Sequence, residues 1–201
     1  MRFLALCALF LLPEVAWAQT FTDPVTDLSE ALHADQRAHL WRLAAWGSTN
    51  VLSGLALVAT QTRQERPGWH GFGWQSAAWG SINIGIAAIG LLNGQGELSS
   101  TFAQAIAAEN TYADILLVNL GLNVGYSAIG TTMVVLSHYG VRHAQAIRGH
   151  GSALIVQGAG LFILDTIAWL GTRARFDALL DLTSNVALHV APQGAALTLV
   201  W

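Results

Sequence analysis

A handful of polar side chains stand inside stretches that are otherwise almost wholly apolar: Asn50, Asn83, Asn119, Asn123 and Gln157, with the carboxylates Asp114 and Asp165. Two kinds of chemistry fit such a set. Amides that face one another between helices close hydrogen bonds, whereas an amide left facing hydrocarbon carries an unsatisfied desolvation cost of a few kcal/mol. The same groups, with a carboxylate among them, can instead line a path or pocket for a proton, an ion or a small polar solute. Fastening of helices is the commoner use and is the leading expectation.

The carboxylates sharpen the choice. Asp114 lies just inside the outer end of the third apolar stretch and Asp165 about five residues from the outer end of the fourth, while His39 and Arg42 flank the first. An acid within a membrane is costly and is either paired or functional. An Arg42–Asp165 ion pair is expected, with a proton- or cation-binding carboxylate as the alternative. His138 and His150, at the ends of the third and fourth stretches, are weak candidates for a metal or haem pair, and no metal or cofactor is expected. The chain shows no Ser/His/Asp arrangement, no phosphate-binding glycine loop and no His-Glu-x-x-His pattern, so catalytic residues and enzyme activity are not expected.

These groups need helices to hold them. Of 201 residues, 53% are hydrophobic and only 10% charged, against roughly a quarter charged in soluble domains. Lysine is absent and the formal net charge is −3, which excludes a polycationic nucleic-acid surface. The apolar runs have the length a bilayer requires. They predict an all-α membrane protein, a four-helix bundle with spans at about 40–60, 74–93, 112–138 and 151–170. Residues 62–71 read as a loop, 102–108 as a short interfacial helix, and Gly171 as the end of the fourth span.

Residues 1–18 have a positive start, an apolar core of about ten residues, Pro13, and Ala16-Trp17-Ala18, the pattern of a secretory signal peptide. Cleavage after Ala18 would remove Cys7, the one cysteine, and with it disulfides and thiolate chemistry. Residues 19–39 then form an extracytoplasmic segment in which Asp23-Pro24 reads as a turn and Asp27 with Glu30 as a helix-starting pair. Residues 171–201 form an outer tail, whose alternating pattern predicts a β-hairpin cap. Arg63, Arg66, Arg142 and Arg148 fall in the loops after spans one and three, which places those loops in the cytoplasm and the mature N-terminus outside.

Two of the spans share a repeat. Ala44-Ala45-Trp46-Gly47-Ser48-Thr49-Asn50 is echoed by Ala77-Ala78-Trp79-Gly80-Ser81-Ile82-Asn83, which puts a Trp and an Asn four apart on one face of each helix. Gly47, Gly54, Gly80, Gly85, Gly121 and Gly125 are expected to let helices approach closely, the Gly121-x-x-x-Gly125 pair above all.

The stretches from Gly73 to Ala87, from Asn119 to Tyr126, from Arg148 to Gly151 and from Gln157 to Asp165 together resemble an uncharacterised family of bacterial four-span membrane proteins, a domain of unknown function. The resemblance covers about residues 40–170 and is most specific at Gln157–Asp165. It implies four spans, singles out Asn83, Asn119, Asn123, Gln157 and Asp165, and implies no activity; the expected location is a bacterial cytoplasmic membrane. The leading expectation is a non-enzymatic membrane component or partner-binding bundle, whose partners are the lipid bilayer and a membrane protein or second copy. The alternative is a small transporter or channel working through the intramembrane Asn and Asp residues.

Overall fold

The computed structural model describes residues 23–94, 96–184, 186–191 and 194–199; the expected signal peptide lies outside them. Four helices form the body: α1 (Pro24–Thr60), α2 (Pro67–Asn93), α3 (Phe102–Leu136) and α4 (Ala144–Ser184). All four are long and apolar enough to cross a membrane. Their outer surface carries the apolar side chains, among them Leu52, Ile86, Ile89, Leu92, Val118, Val124 and Ile163, while amides and acids are buried within. That inversion is what hydrocarbon solvent selects. By composition and by surface, this is a multi-pass membrane fold.

The helices start earlier than their apolar runs. Asp23 caps α1, its side chain accepting from the Val25 N–H at 3.2 Å, and Pro24 takes the first position, where a missing N–H costs nothing. Asp23-Pro24 is therefore a helix start rather than a turn, and Asp27 sits in the first turn, favourable at the positive end of the dipole. Pro67 does the same for α2, so the loop before it is short. Thr101 caps α3, its hydroxyl accepting from the Gln104 N–H at 3.3 Å. From there α3 runs unbroken, so 102–108 is its first two turns and not a separate interfacial helix.

Gly171 does not end α4. A Cβ there would lie 2.7 Å from Asp35 Oδ2, so the glycine makes room for a carboxylate of α1 while the helix continues. At 1.5 Å per residue, α1, α3 and α4 reach about 52–61 Å, well beyond the roughly 30 Å of a bilayer core. Their surplus falls at the same end: the start of α1, the start of α3 and the finish of α4. There they pack together around Leu32, Tyr112, Leu116 and Ala168, with Ala105 and Leu179 buried beyond. The Ser99 N–H, donating to Ser29 Oγ at 2.8 Å, ties the α2–α3 connection to the same end.

α1 packs along α2 and α3 along α4, and α4 also lies against α2 and α1, whereas α1 meets α3 only slightly. The first pairing is equally tight at Gly47 with Gly80 and at Gly54 with Gly73, where a Cβ on any of the four would come within 2.7 Å of the facing glycine's carbonyl oxygen. Gly85, Gly121 and Gly125, by contrast, have open space where a Cβ would go. The buried face of α3 is set by Tyr112, Leu116, Asn123 and Gly130; positions 121 and 125 are two residues from Asn123 and point the other way. A Gly121→Ala, Gly125→Ala double variant is thus expected to melt within a few degrees of the parent in detergent, since added helix propensity of about 0.5–1 kcal/mol per site meets no clash. Among the described residues beyond Ser184, contact with the helical body is to α4, and the expected hairpin cap is not part of the all-helical body.

Candidate functional site

The inner face of α4 organises the polar groups. His150, Ala153, Gln157, Leu161, Asp165, Ala168, Thr172, Arg175 and Leu179 follow one another at spacings of three and four, which keeps them on one stripe. Polar and apolar positions alternate along it as far as Thr172 and Arg175, which follow one another, so the bundle holds polar layers separated by apolar ones.

In the first layer, Gln157 is 0% exposed. The Trp46 indole N–H donates to Gln157 Oε1 at 3.0 Å, the Gln157 amide donates to Asn50 Oδ1 at 2.5 Å, and Asn50 Nδ2 donates to the Trp46 carbonyl at 2.7 Å. The four-residue spacing of Trp46 and Asn50 makes this ring possible, as the shared-face reading required. It is closed, and it fastens α1 to α4.

Asp165 forms the second layer, about 12 Å along α4 from Gln157. One carboxylate oxygen lies 3.2 Å from His39 Nε2, and the other accepts from Asn123 Nδ2 at 2.6 Å. The expected Arg42–Asp165 pair gives way to His39–Asp165. His39 belongs to the buried stripe of α1 with Leu43, Gly47 and Asn50, whereas Arg42 is half-buried on the flank of that stripe. Between the two layers sit Leu43, Ala87 and Leu161, an apolar plug.

The third layer escaped the sequence reading. Glu109, 2% exposed, accepts from Arg175 Nε at 2.6 Å and from the Thr172 hydroxyl at 2.7 Å, while Arg175 Nη2 donates to Thr172 Oγ1 at 3.1 Å and Nη1 pairs with Asp35. The signal was present in the spacing: Thr172 and Arg175 continue the stripe past Gly171. Reading that glycine as a stop hid it.

Between α2 and α3 the bundle opens into a cleft of about 200 Å³. His39, Asn83, Asn119, Asn123 and Asp165 contribute its polar lining, and Trp79, Ile82, Ile86, Leu122 and Tyr126 its apolar walls. Trp79 and Tyr126 meet edge to face, ring centroids 4.8 Å apart. Asn83 is 3% exposed, yet its Nδ2 has no hydrogen-bond partner among the described residues, and neither does His39 Nδ1. The amides expected to act as one set thus divide: Asn50 and Gln157 are closed on each other, Asn123 is bonded to Asp165, and Asn83 and Asn119 line the cleft.

The remaining candidates stand apart from it. Asp114 is exposed on α3 and joins none of these layers. His150 Nδ1 lies 3.2 Å from Gln75 Oε1, and Arg148 Nη2 donates to His138 Nδ1 at 3.4 Å, so the two rings have separate partners. Among the described residues no cluster of three or more His, Cys, Asp or Glu side chains is placed to hold a metal ion.

A family model described as a family of unknown function, DUF6992, matches residues 42–166. That match takes in Asn50, Asn83, Asn119, Asn123, Gln157 and Asp165, and leaves out His39, Thr172 and Arg175. No curated protein and no solved structure matches the chain.

Proposed function

The chain belongs to the DUF6992 family of unknown function, and from its own side chains we propose that it is a non-enzymatic membrane component whose bundle receives a guest in the α2–α3 cleft. One contrast carries the reading. The Trp46–Gln157–Asn50 ring satisfies its own polar groups, whereas Asn83 holds an unused amide N–H pair in a cleft that reaches Asp165. Buried polar atoms are almost always satisfied, and one that is not requires a reason. A binding partner supplies one; a fastening role does not.

The setting proposed for it is a bacterial cytoplasmic membrane, reached through the N-terminal signal. The end bearing Arg63, Arg66, Arg142 and Arg148 faces the cytoplasm, and Asp35, Glu97 and Glu109 mark the outer end. In this arrangement the tail folds back outside as a hairpin.

A second reading, a transporter for a proton, an ion or a small polar solute, draws on the succession of polar layers down α4. The plug of Leu43, Ala87 and Leu161 between them weighs against it. One experiment separates the two. In a Cys7→Ser background reconstituted in liposomes, Asn119→Cys and Gln157→Cys are each exposed to a small maleimide. The binding-cleft reading expects Asn119→Cys to be modified at least tenfold faster than Gln157→Cys. Equal, rapid modification of both by a membrane-impermeant reagent would mean a continuous water path and would move the assignment to transport.

A further inference from the structure

Building on the cleft reading, we propose that its occupant is the ring head of a membrane-dissolved molecule of the isoprenoid quinone and quinol class, with its tail in the surrounding lipid. The entry route selects for solubility in hydrocarbon. Ile82, Ile86 and Leu122 line the cleft and are about half exposed on the outer surface of α2 and α3, so a guest enters sideways from the bilayer. A hydrophilic solute taking that route would first have to cross hydrocarbon, at a cost of several kcal/mol for each unpaired polar group.

Charge selects further. No arginine or lysine lines the cleft, and Asp165 does, so a phosphate or carboxylate head would meet a buried acid whose one basic neighbour, His39, is already turned to it. Nor does a cation find a ready partner. Both oxygens of Asp165 are already engaged, one by His39 and one by Asn123. The head group is therefore neutral.

What the cleft offers is hydrogen bonding and an aromatic wall. Asn83 Nδ2 has N–H groups to donate. His39 directs Nε2 at the carboxylate, so a neutral ring carries its proton there and leaves Nδ1, also unpartnered, as an acceptor. Both residues line the cleft, and a rotation of each side chain that brings these shielded atoms to its surface would let a ring oxygen accept from Asn83 and a hydroxyl donate to His39 Nδ1, satisfying both. The reduced, hydroxyl-bearing form makes both bonds; the oxidised form makes only the first. Trp79 and Tyr126 present aromatic surface to a flat guest. The volume, about 200 Å³, holds about six or seven waters at about 30 Å³ each. That suits one substituted ring, and falls below the roughly 300 Å³ at which pockets begin to enclose drug-sized molecules whole.

The test uses full-length protein in phosphatidylcholine nanodiscs and a one-isoprene ubiquinone, oxidised or reduced. Binding is measured as saturable retention above empty discs, and by protection of Asn119→Cys (in the Cys7→Ser background) from maleimide. The expectation is saturable binding to the parent, tighter for the reduced form. Asn83→Leu should weaken it about three- to tenfold, the loss of one hydrogen bond. Because Asn83→Leu removes an unsatisfied buried amide, its melting temperature should not fall, which separates lost binding from lost fold. Equal binding by Asn83→Leu, or no saturable binding by the parent, overturns the quinone assignment. If the quinone fails while dioleoylglycerol protects Asn119→Cys, the cleft stands as a binding site and only the ligand class falls. If Asn119→Cys is unreactive without any addition, the cleft reading falls with it.

Discussion

Replacing Arg175 by Met is expected to cost about 3–5 kcal/mol of stability, the penalty typical of breaking a buried ion pair from one side. The guanidinium is bonded to Glu109 through Nε, to Thr172 through Nη2 and to Asp35 through Nη1. Glu109 is 2% exposed and cannot turn to water when its partner goes; it keeps only the Thr172 hydroxyl. Asp35, whose side chain is 41% exposed, can resolvate, so most of the loss comes from Glu109. The double variant Arg175→Met, Glu109→Gln removes the stranded charge and should recover about half of the loss or more. Loss of helical circular dichroism on heating and on titration with a denaturing detergent measures both. A single variant as stable as the parent would show that this layer does not hold the projecting ends of α1, α3 and α4 together.

That layer also shows where sequence reasoning stops. The spans themselves were legible because hydrocarbon demands long apolar runs, and those runs are what composition records. The Trp46–Asn50 pairing was legible too, since four-residue spacing fixes a helix face whatever packs against it. Helix ends were less so. Pro24 and Pro67 look like breaks in a list of residues, but at a first helical position they cost nothing, so α1 and α2 begin at them. Gly171 looks like a stop, and its meaning depends on Asp35, 136 positions away, filling the space above it.

Partner choice was less legible still. Asp165 was readable as an acid needing a base, and both His39 and Arg42 stood within one turn of the right depth. Which of them turns inward depends on the rotation of α1, and that is set by Gly47 and Asn50 meeting α2 and α4. The same rotation decides that Asn50 finds Gln157. The division of the amides into a closed ring and an open cleft follows from α2 and α3 diverging, which neither helix's own sequence states. The Gly121 and Gly125 spacing likewise matched a contact pattern without a facing helix to complete it.

The close approach of Gly47 and Gly80 gives the second large effect. Gly80→Leu is expected to destabilise the bundle by about 3 kcal/mol, at the upper end of overpacking costs. A Cβ at position 80 would stand 2.5 Å from the Gly47 carbonyl oxygen and 2.9 Å from the Val51 nitrogen. Both are backbone atoms of α1, so no side-chain rotation relieves the clash and the helices must part. Parting them moves Asn50, whose Cβ lies 3.0 Å from the same point, out of reach of Gln157. The α1–α4 seam at position 157 should then loosen, and Gln157→Cys, slow to label on its own, should become reactive when combined with Gly80→Leu. Gly85→Leu, five residues along the same helix with nothing within 4 Å of the added Cβ, is the matched control and should stay within about 0.5 kcal/mol of the parent. If Gly80→Leu and Gly85→Leu melt together, α1 and α2 do not meet at this glycine pair. If Gly80→Leu is destabilised while Gln157→Cys stays protected, α1 and α4 remain in contact at position 157 independently of the α1–α2 contact.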